Sequence, residues 1–184
     1  MKYLLIDRDG VINKDPGGWT PHSYVTDWKY FHFLPGTLEA LKILKDKGIK
    51  VIVASNQGGV SRGIYNEGEL ERVNGRMLEE IRKAGGQIEE VFYCIHKDED
   101  NCACRKPKPG MLQAAAKKYG LDLKEMYFVG DDKKDILAGR KAGCRTVLVL
   151  SGKSSMKDVE SWTEKPDLIF KNLLETVKTI TREE

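Results

Sequence analysis

Tyr3-Leu4-Leu5-Ile6-Asp7-Arg8-Asp9-Gly10-Val11-Ile12-Asn13 is the stretch on which the fold turns. Its apolar start lacks the polar alternation of a half-exposed strand and suits a short strand buried on both faces of a parallel sheet. Two carboxylates stand where that strand should end, the edge at which a doubly wound sheet keeps its chemistry. Gly10 supplies a turn that lets backbone approach a ligand. Alone, Asp7 and Asp9 would read as turn or cap residues. Three later stretches supply the rest of a phosphate site.

Working outward, Pro35-Gly36-Thr37 opens a helix marked by Leu38, Leu41 and Leu44, and Lys47-Gly48 closes it. Ile49 to Ala54 is a second buried strand, running into Ser55-Asn56-Gln57-Gly58-Gly59. A hydroxyl at a strand tip, followed by free backbone N–H groups, can hold a phosphate oxygen while glycines allow close approach. The loop is not a Walker-type P-loop, since the chain has no G-x-x-x-x-G-K-[ST]. Leu70, Val73, Met77, Ile81 and Ala84 form the stripe of an amphipathic helix from Glu67 to Ala84. Val91-Phe92-Tyr93 is a third strand, and Met111, Leu112, Ala115, Ala116 and Tyr119 mark the next helix.

The fourth strand, Met126 to Val129, runs into Gly130-Asp131-Asp132-Lys133-Lys134-Asp135. A second strand ending in carboxylates brings oxygen ligands to the edge that holds Asp7, which is how a site for a hard cation is assembled. Asp132 three residues before Asp135 is close to a helix-capping pattern. Arg145 to Leu150 is a fifth strand, Asp167 to Phe170 adds a sixth, and Lys171 to Ile180 reads as a closing helix. Lys14 to Leu34 has no periodic pattern; its Pro16-Gly17-Gly18 and six large aromatics give a long loop, hairpin or folded back on the sheet, of a length usually tied to function. This alternation predicts an α/β fold: a right-handed, doubly wound, Rossmann-like parallel sheet.

Cys94, His96, Cys102 and Cys104 fall within eleven positions, as two C-x-[HC] pairs around a polar loop. Three thiols and one imidazole can surround one tetrahedral ion, and zinc suits that soft ligand set. Four protein ligands leave no open position, so the expected zinc site is structural, carried on a loop insertion. The remaining Cys144 reads as buried packing. Arg105-Lys106-Pro107-Lys108-Pro109 follows at once; two prolines stiffen it and the metal loop anchors its start, holding Arg105 and Lys106 in place.

Together, Asp7-Arg8-Asp9-Gly10-Val11-Ile12-Asn13, the Ser55-Asn56 strand end, Arg105-Lys106 and Gly130-Asp131-Asp132-Lys133-Lys134-Asp135 resemble the four motifs of the haloacid dehalogenase-like phosphatases, in the form found in heptose bisphosphate and histidinol phosphatases. The resemblance runs from Tyr3 to about Val149. It implies Asp7 as nucleophile, Asp9 as general acid and base, and Ser55, Asn56 and Lys106 on the phosphoryl group. It implies magnesium on Asp7, the Asp9 carbonyl and Asp131, with Asp135 in support. Substrate contacts are implied for Arg8, Asp15, Gly17, Gly18, Gln57, Gly58 and Arg105, with short loops in place of a cap domain. The implied strand order is 5-4-1-2-3. Relatives usually carry a basic residue at the position of Asp132, and this chain departs from them there.

At 184 residues with 40% hydrophobic content, the chain is expected to be a single domain spanning 1–184. Lys+Arg 31 against Asp+Glu 28 is a mild excess, mixed along the sequence, that does not call for nucleic acid. The first apolar run is too short for a signal peptide or membrane span, and cysteines without an export signal imply reduced thiols; a cytoplasmic monomer is expected. The expected reaction is release of the 7-phosphate from a heptose 1,7-bisphosphate, with Arg105 gripping the second phosphate. The alternatives are histidinol phosphate hydrolysis, a receiver-like signalling domain, and a zinc-containing nucleic-acid binder.

Overall fold

The computed structural model describes residues 2–182; Met1, Glu183 and Glu184, which the expected span 1–184 includes, lie outside the described residues. Six strands, β1 (Tyr3–Ile6), β2 (Lys50–Asn56), β3 (Glu90–Cys94), β4 (Tyr127–Gly130), β5 (Arg145–Val149) and β6 (Leu168–Phe170), form one sheet in the order β3-β2-β1-β4-β5-β6. Every pairing is parallel. The expected five-strand order is present, with β6 added at one edge.

Successive residues of β1 point to opposite faces, and the helices sort accordingly. Leu4 and Ile6 pack with Val51, Val53, Val129 and Val147 under α1 (Thr37–Asp46), α2 (Glu67–Lys83) and α6 (Leu173–Ile180), which contribute Leu41, Leu44, Met77, Val177 and Ile180. Leu5 joins Ile52, Ala54 and Phe128 on the other face, covered by Met111, Leu112 and Ala115 of α3 (Gly110–Tyr119) and Ala138 of α4 (Lys133–Ala142). Both faces are therefore dry, which is why the strands read as continuous apolar runs. Cys144 is buried on this second face, as expected from its sequence context.

Two elements depart from the sequence reading. A short helix, α5 (Met156–Ser161), follows β5 and buries Val159 beside Ile136, Leu148 and Trp162. Six residues offer too few turns for a helical period to show. The aromatic loop is folded back and contains no hairpin: it carries two 3₁₀ turns and a single antiparallel bridge from Asn13 to Phe33. Trp28 stacks on Phe31 at 4.8 Å, and Arg76 of α2 lies 4.8 Å from the Trp28 ring, so this half of the loop is pinned to the body. No helix among the described residues is long and apolar enough to cross a membrane.

Candidate active site and metal centres

Parallel register lines up the ends of β1, β2 and β4, so Asp7, Ser55, Asn56 and Asp131 meet at one edge although they are far apart in sequence. The Asp7 N–H donates to Val129 O at 2.8 Å, which ties the end of β1 to β4. Asp135, in the first turn of α4, accepts from the N–H groups of Asp131 and Asp132 at 3.2 and 3.1 Å. Its other oxygen lies 2.7 Å from Lys106 Nζ, which is also 2.8 Å from Asp7 Oδ2. Gly10 has φ +78°, and a Cβ there would fall 2.0 Å from Asp131 Oδ2, so only glycine fits between the two carboxylate strands.

Asp7, Asp131 and Asp135 each offer a carboxylate oxygen, all within 4.8 Å of one another, at buried positions. That donor set fits a hard divalent cation. Burial raises the Asp7 carboxyl to about 6, with Lys106 opposing the shift and Asp135 adding to it. Asp131 is held well above the ordinary carboxylate range by burial and then by Asp135 and Asp7. Crowded, desolvated carboxylates of this kind are relieved by a bound cation.

Asp9 is oriented by its neighbours. Arg8 donates through Nε and Nη2 at 3.0–3.2 Å, Asn13 Nδ2 at 2.9 Å, and Gln57 Nε2 at 2.9 Å. Gln57 also donates to Ser55 Oγ at 3.0 Å and accepts from the Tyr65 hydroxyl at 2.7 Å. Arg8 corrects an expectation: it is 0% exposed, with Nη1 on Asn74 at 3.1 Å, so it orients Asp9 and does not reach the cavity. Gln57 is buried in the same way and lies outside the cavity lining, as does Gly18, which has no neighbour within 4 Å of its Cβ position. The Asn56 amide is committed to the Lys106 backbone, donating to its carbonyl at 3.0 Å and accepting from its N–H at 3.1 Å.

These groups surround a cavity of about 380 Å³. Asp7, Asp9, Ser55, Asn56 and Asp131 line it, together with Asp15, Gly17, Gly58 and Arg105. Arg105 is less free than the sequence suggested: Nε and Nη2 bind Asp98 at 2.8 and 3.1 Å, and Nη1 binds His96 O at 3.1 Å. Of its five N–H donors, three are taken and two remain.

Three further parts of the wall escaped the sequence reading. His22 and Ser23 hold left-handed backbone, φ 58° and 59°, beside the cavity. Lys134 and Lys153 also line it, and both face Asp132. Asp132 does precede α4 as its N-cap residue, but its carboxylate pairs with Lys153 Nζ at 3.0 Å and Lys134 Nζ at 3.4 Å. Ser151-Gly152-Lys153 follows a strand at the edge that bears Asp7, and that position was the available signal. Five aspartates against Arg105, Lys134 and Lys153 line the cavity, so an anionic ligand needs an added cation to sit beside Asp7.

The second cluster lies where β3 leaves the sheet. Cys94, Cys102 and Cys104 have Sγ atoms 3.2–3.6 Å apart, and His96 Nδ1 is 3.7 Å from Cys94 Sγ and 3.3 Å from Cys104 Sγ. All three thiols are free. A tetrahedral ion with bonds of about 2.3 Å has ligand–ligand edges of about 3.8 Å, a few tenths of an ångström above these spacings.

A buried carboxylate at the end of β1, a cavity beside it and a second carboxylate at the end of β4, all on one edge of a doubly wound parallel sheet, match the layout of the haloacid dehalogenase-like hydrolases. A family model described as Hydrolase_like, HAD-hydrolase-like, matches residues 103–176. The D-glycero-β-D-manno-heptose-1,7-bisphosphate 7-phosphatase of Pseudomonas putida is 38% identical over 94% of this chain and 95% of its own length. The Helicobacter pylori enzyme of the same name is 35% identical over 96% of this chain and 98% of its own. A crystal structure of D,D-heptose 1,7-bisphosphate phosphatase from B. bronchiseptica, complexed with magnesium and phosphate, superposes with a TM-score of 0.90 at 30% identity, covering both chains completely. The chain belongs to the D-glycero-β-D-manno-heptose-1,7-bisphosphate 7-phosphatase family of haloacid dehalogenase-like phosphatases.

Proposed function

We propose that this chain is a magnesium-dependent phosphate monoester hydrolase that releases the 7-phosphate of D-glycero-D-manno-heptose 1,7-bisphosphate. The observation that carries the reading is the buried Asp7–Lys106–Asp135 arrangement, 2.8 and 2.7 Å on its two sides, set directly behind a cavity that Asp7 lines together with Asp9 and Asp131. An Asp7 carboxylate oxygen attacks phosphorus and the bond to the sugar oxygen breaks. Asp9 gives its proton to that oxygen, then takes one from water, and the hydroxide formed cleaves the aspartyl phosphate on Asp7. Lys106 and Ser55 hold the phosphoryl oxygens, and the Asn56 amide fixes the backbone that carries Lys106. Asp7, the Asp9 carbonyl and Asp131, with Asp135 in support, would hold magnesium, which would supply positive charge where two anions must approach.

The Cys94–His96–Cys102–Cys104 cluster holds one structural zinc. Its role is to anchor the segment that presents Arg105 and Lys106. The two free N–H groups of Arg105, held in place by Asp98, face the sugar end of the substrate with Asp15, Gly17 and Gly58. Names of the relatives favour the sugar bisphosphate over histidinol phosphate, and retention of Asp9 favours turnover over a persistent receiver-type phosphorylation. We read the protein as a cytoplasmic monomer acting on a small substrate, with no nucleic-acid or membrane partner. Phosphate release measured over heptose 1,7-bisphosphate, histidinol phosphate and nucleotides tests the assignment. The bisphosphate should give the highest kcat/KM, and a preference for histidinol phosphate overturns it.

A further inference from the structure

Tyr65 lies between β2 and α2, outside the cavity lining, and no step of the reaction proposed above touches it. Its backbone is fixed from both sides. The Ile64 N–H donates to Gly59 O at 2.9 Å. Asn66 opens α2 in a reciprocal cap, its side chain accepting from the Glu69 N–H at 2.9 Å while its own N–H donates to Glu69 Oε2 at 2.7 Å. The Tyr65 ring packs on Tyr24, 5.8 Å between centroids, and on Gly59, where a Cβ would fall 2.2 Å from Tyr65 Cε1. The side chain is only 5% exposed, so its hydroxyl has little water to turn to. Among the described residues that hydroxyl makes one hydrogen bond, donated to Gln57 Oε1 at 2.7 Å.

Gln57 is also buried, and the two ends of its amide differ. With Oε1 taken by the Tyr65 hydroxyl, Nε2 faces Asp9 Oδ2 at 2.9 Å and Ser55 Oγ at 3.0 Å, one proton for each. The reverse orientation would set an amide oxygen against the Asp9 carboxylate and leave the Tyr65 proton without an acceptor, a double loss away from water. Ser55 Oγ accepts from Gln57 and so keeps its own proton to give; it lines the cavity, where a phosphoryl oxygen would take that proton. One amide thus sets the spacing between the acid–base carboxylate and the hydroxyl that holds the phosphoryl group.

We propose that Tyr65 is a positioning residue for the reaction: its hydroxyl fixes the orientation of the Gln57 amide, and Gln57 in turn holds Asp9 and Ser55 at a set separation. This role depends on those proposed for Asp9 and Ser55, and adds two side chains that do not meet the substrate. Tyr65→Phe keeps the packing against Tyr24 and Gly59 and frees the amide to rotate. A misaligned amide costs turnover more than binding, because it disturbs a geometry needed when the proton moves.

The test is steady-state hydrolysis of 4-nitrophenyl phosphate, whose turnover still needs Asp9 to activate water, by Tyr65→Phe, Gln57→Met and the double variant, with urea midpoints measured alongside. Tyr65→Phe should lower kcat about tenfold and move KM less than about twofold. Gln57→Met, similar in volume but without an amide, should lower kcat about thirtyfold. Because Tyr65 acts only through Gln57, the double variant should be no slower than Gln57→Met alone, whereas independent contributions would multiply to about three hundredfold. A merely structural role would lower the urea midpoint and leave kcat per folded molecule unchanged. An unchanged kcat with Tyr65→Phe, or multiplied losses in the double variant, overturns the Tyr65 role while turnover by the unmodified enzyme leaves the phosphatase reading intact. An unmodified protein that releases no phosphate from any ester tested overturns that reading, and the Tyr65 role with it.

Discussion

The cysteine cluster draws its four ligand atoms from eleven successive residues, 94–104, whereas the carboxylate cluster draws its three from positions 7, 131 and 135. Both lie at the same edge of one sheet. The local cluster closes on itself, with thiols and imidazole at tetrahedral spacing and no position for a substrate. The dispersed one is assembled by strand register and opens onto the cavity. Soft ligands drawn from one short stretch would, with an ion bound, stabilise that stretch. Hard ligands on different strands depend on the whole sheet, and they carry a cost of crowding that only a cation or a proton removes.

Loss of the proposed nucleophile, Asp7, is expected to break the dispersed cluster most completely. Asp7→Asn should reduce phosphate release to below about one-thousandth of the unmodified rate, the scale seen when a covalent nucleophile is removed. Survival of more than a few per cent would place the reacting group elsewhere.

Lys106→Met should come next, affecting both activity and stability. It strands two buried carboxylates, Asp7 and Asp135, that now share one ammonium. Breaking such a buried arrangement costs about 3–5 kcal/mol, readable as a shift in the urea midpoint in the presence of chelator. An unchanged midpoint would mean that Lys106 contributes nothing net to the fold.

Cys102→Ser tests the local cluster. Zinc content measured by elemental analysis should fall from one per chain toward none, with a lower Tm. Activity should fall by roughly tenfold or less, because the effect reaches catalysis only through the placement of Arg105 and Lys106. Magnesium should not restore it, since oxygen and thiolate sites select different metals. A zinc-free protein with full activity and unchanged Tm would remove any structural role for the cluster.

The smallest expected effect is a pH dependence confined to the carboxylate cluster. The Asp7 carboxyl goes from an ordinary 3.8 to about 6 on folding without metal. Its folded form therefore holds a proton more tightly than its unfolded form. The stability it contributes is complete below the unfolded value and is lost as pH rises through about 6. Magnesium binds the ionised form, so the gain in Tm on adding it should be larger at about pH 7.5 than at about pH 5. A gain independent of pH across that window would show that Asp7 is ionised without the metal.

The strands and the cysteine cluster were legible because each rests on a pattern confined to a few residues, uninterrupted apolar runs and thiols two apart around a polar loop, while the strand order came with the family resemblance. Asp7 and Asp131 could be placed together because strand ends share an edge in any doubly wound sheet, whereas Lys106 was named only through the family resemblance. The destinations of Arg8, Asp132, Lys134 and Lys153 could not be read. Arg8 carries the charge of a substrate contact yet is fully buried on Asp9 and Asn74, and Asn74 comes from a helix 66 residues away. Asp132 reads as a cap, and its carboxylate meets lysines from two segments. A residue type tells what a side chain can bind, while its partner is set by which segments pack within about 3 Å of it. Local sequence thus determined the strands, the donor types in each cluster and the edge at which the carboxylates meet. Tertiary packing alone decided which charges face the cavity and which are spent holding its walls.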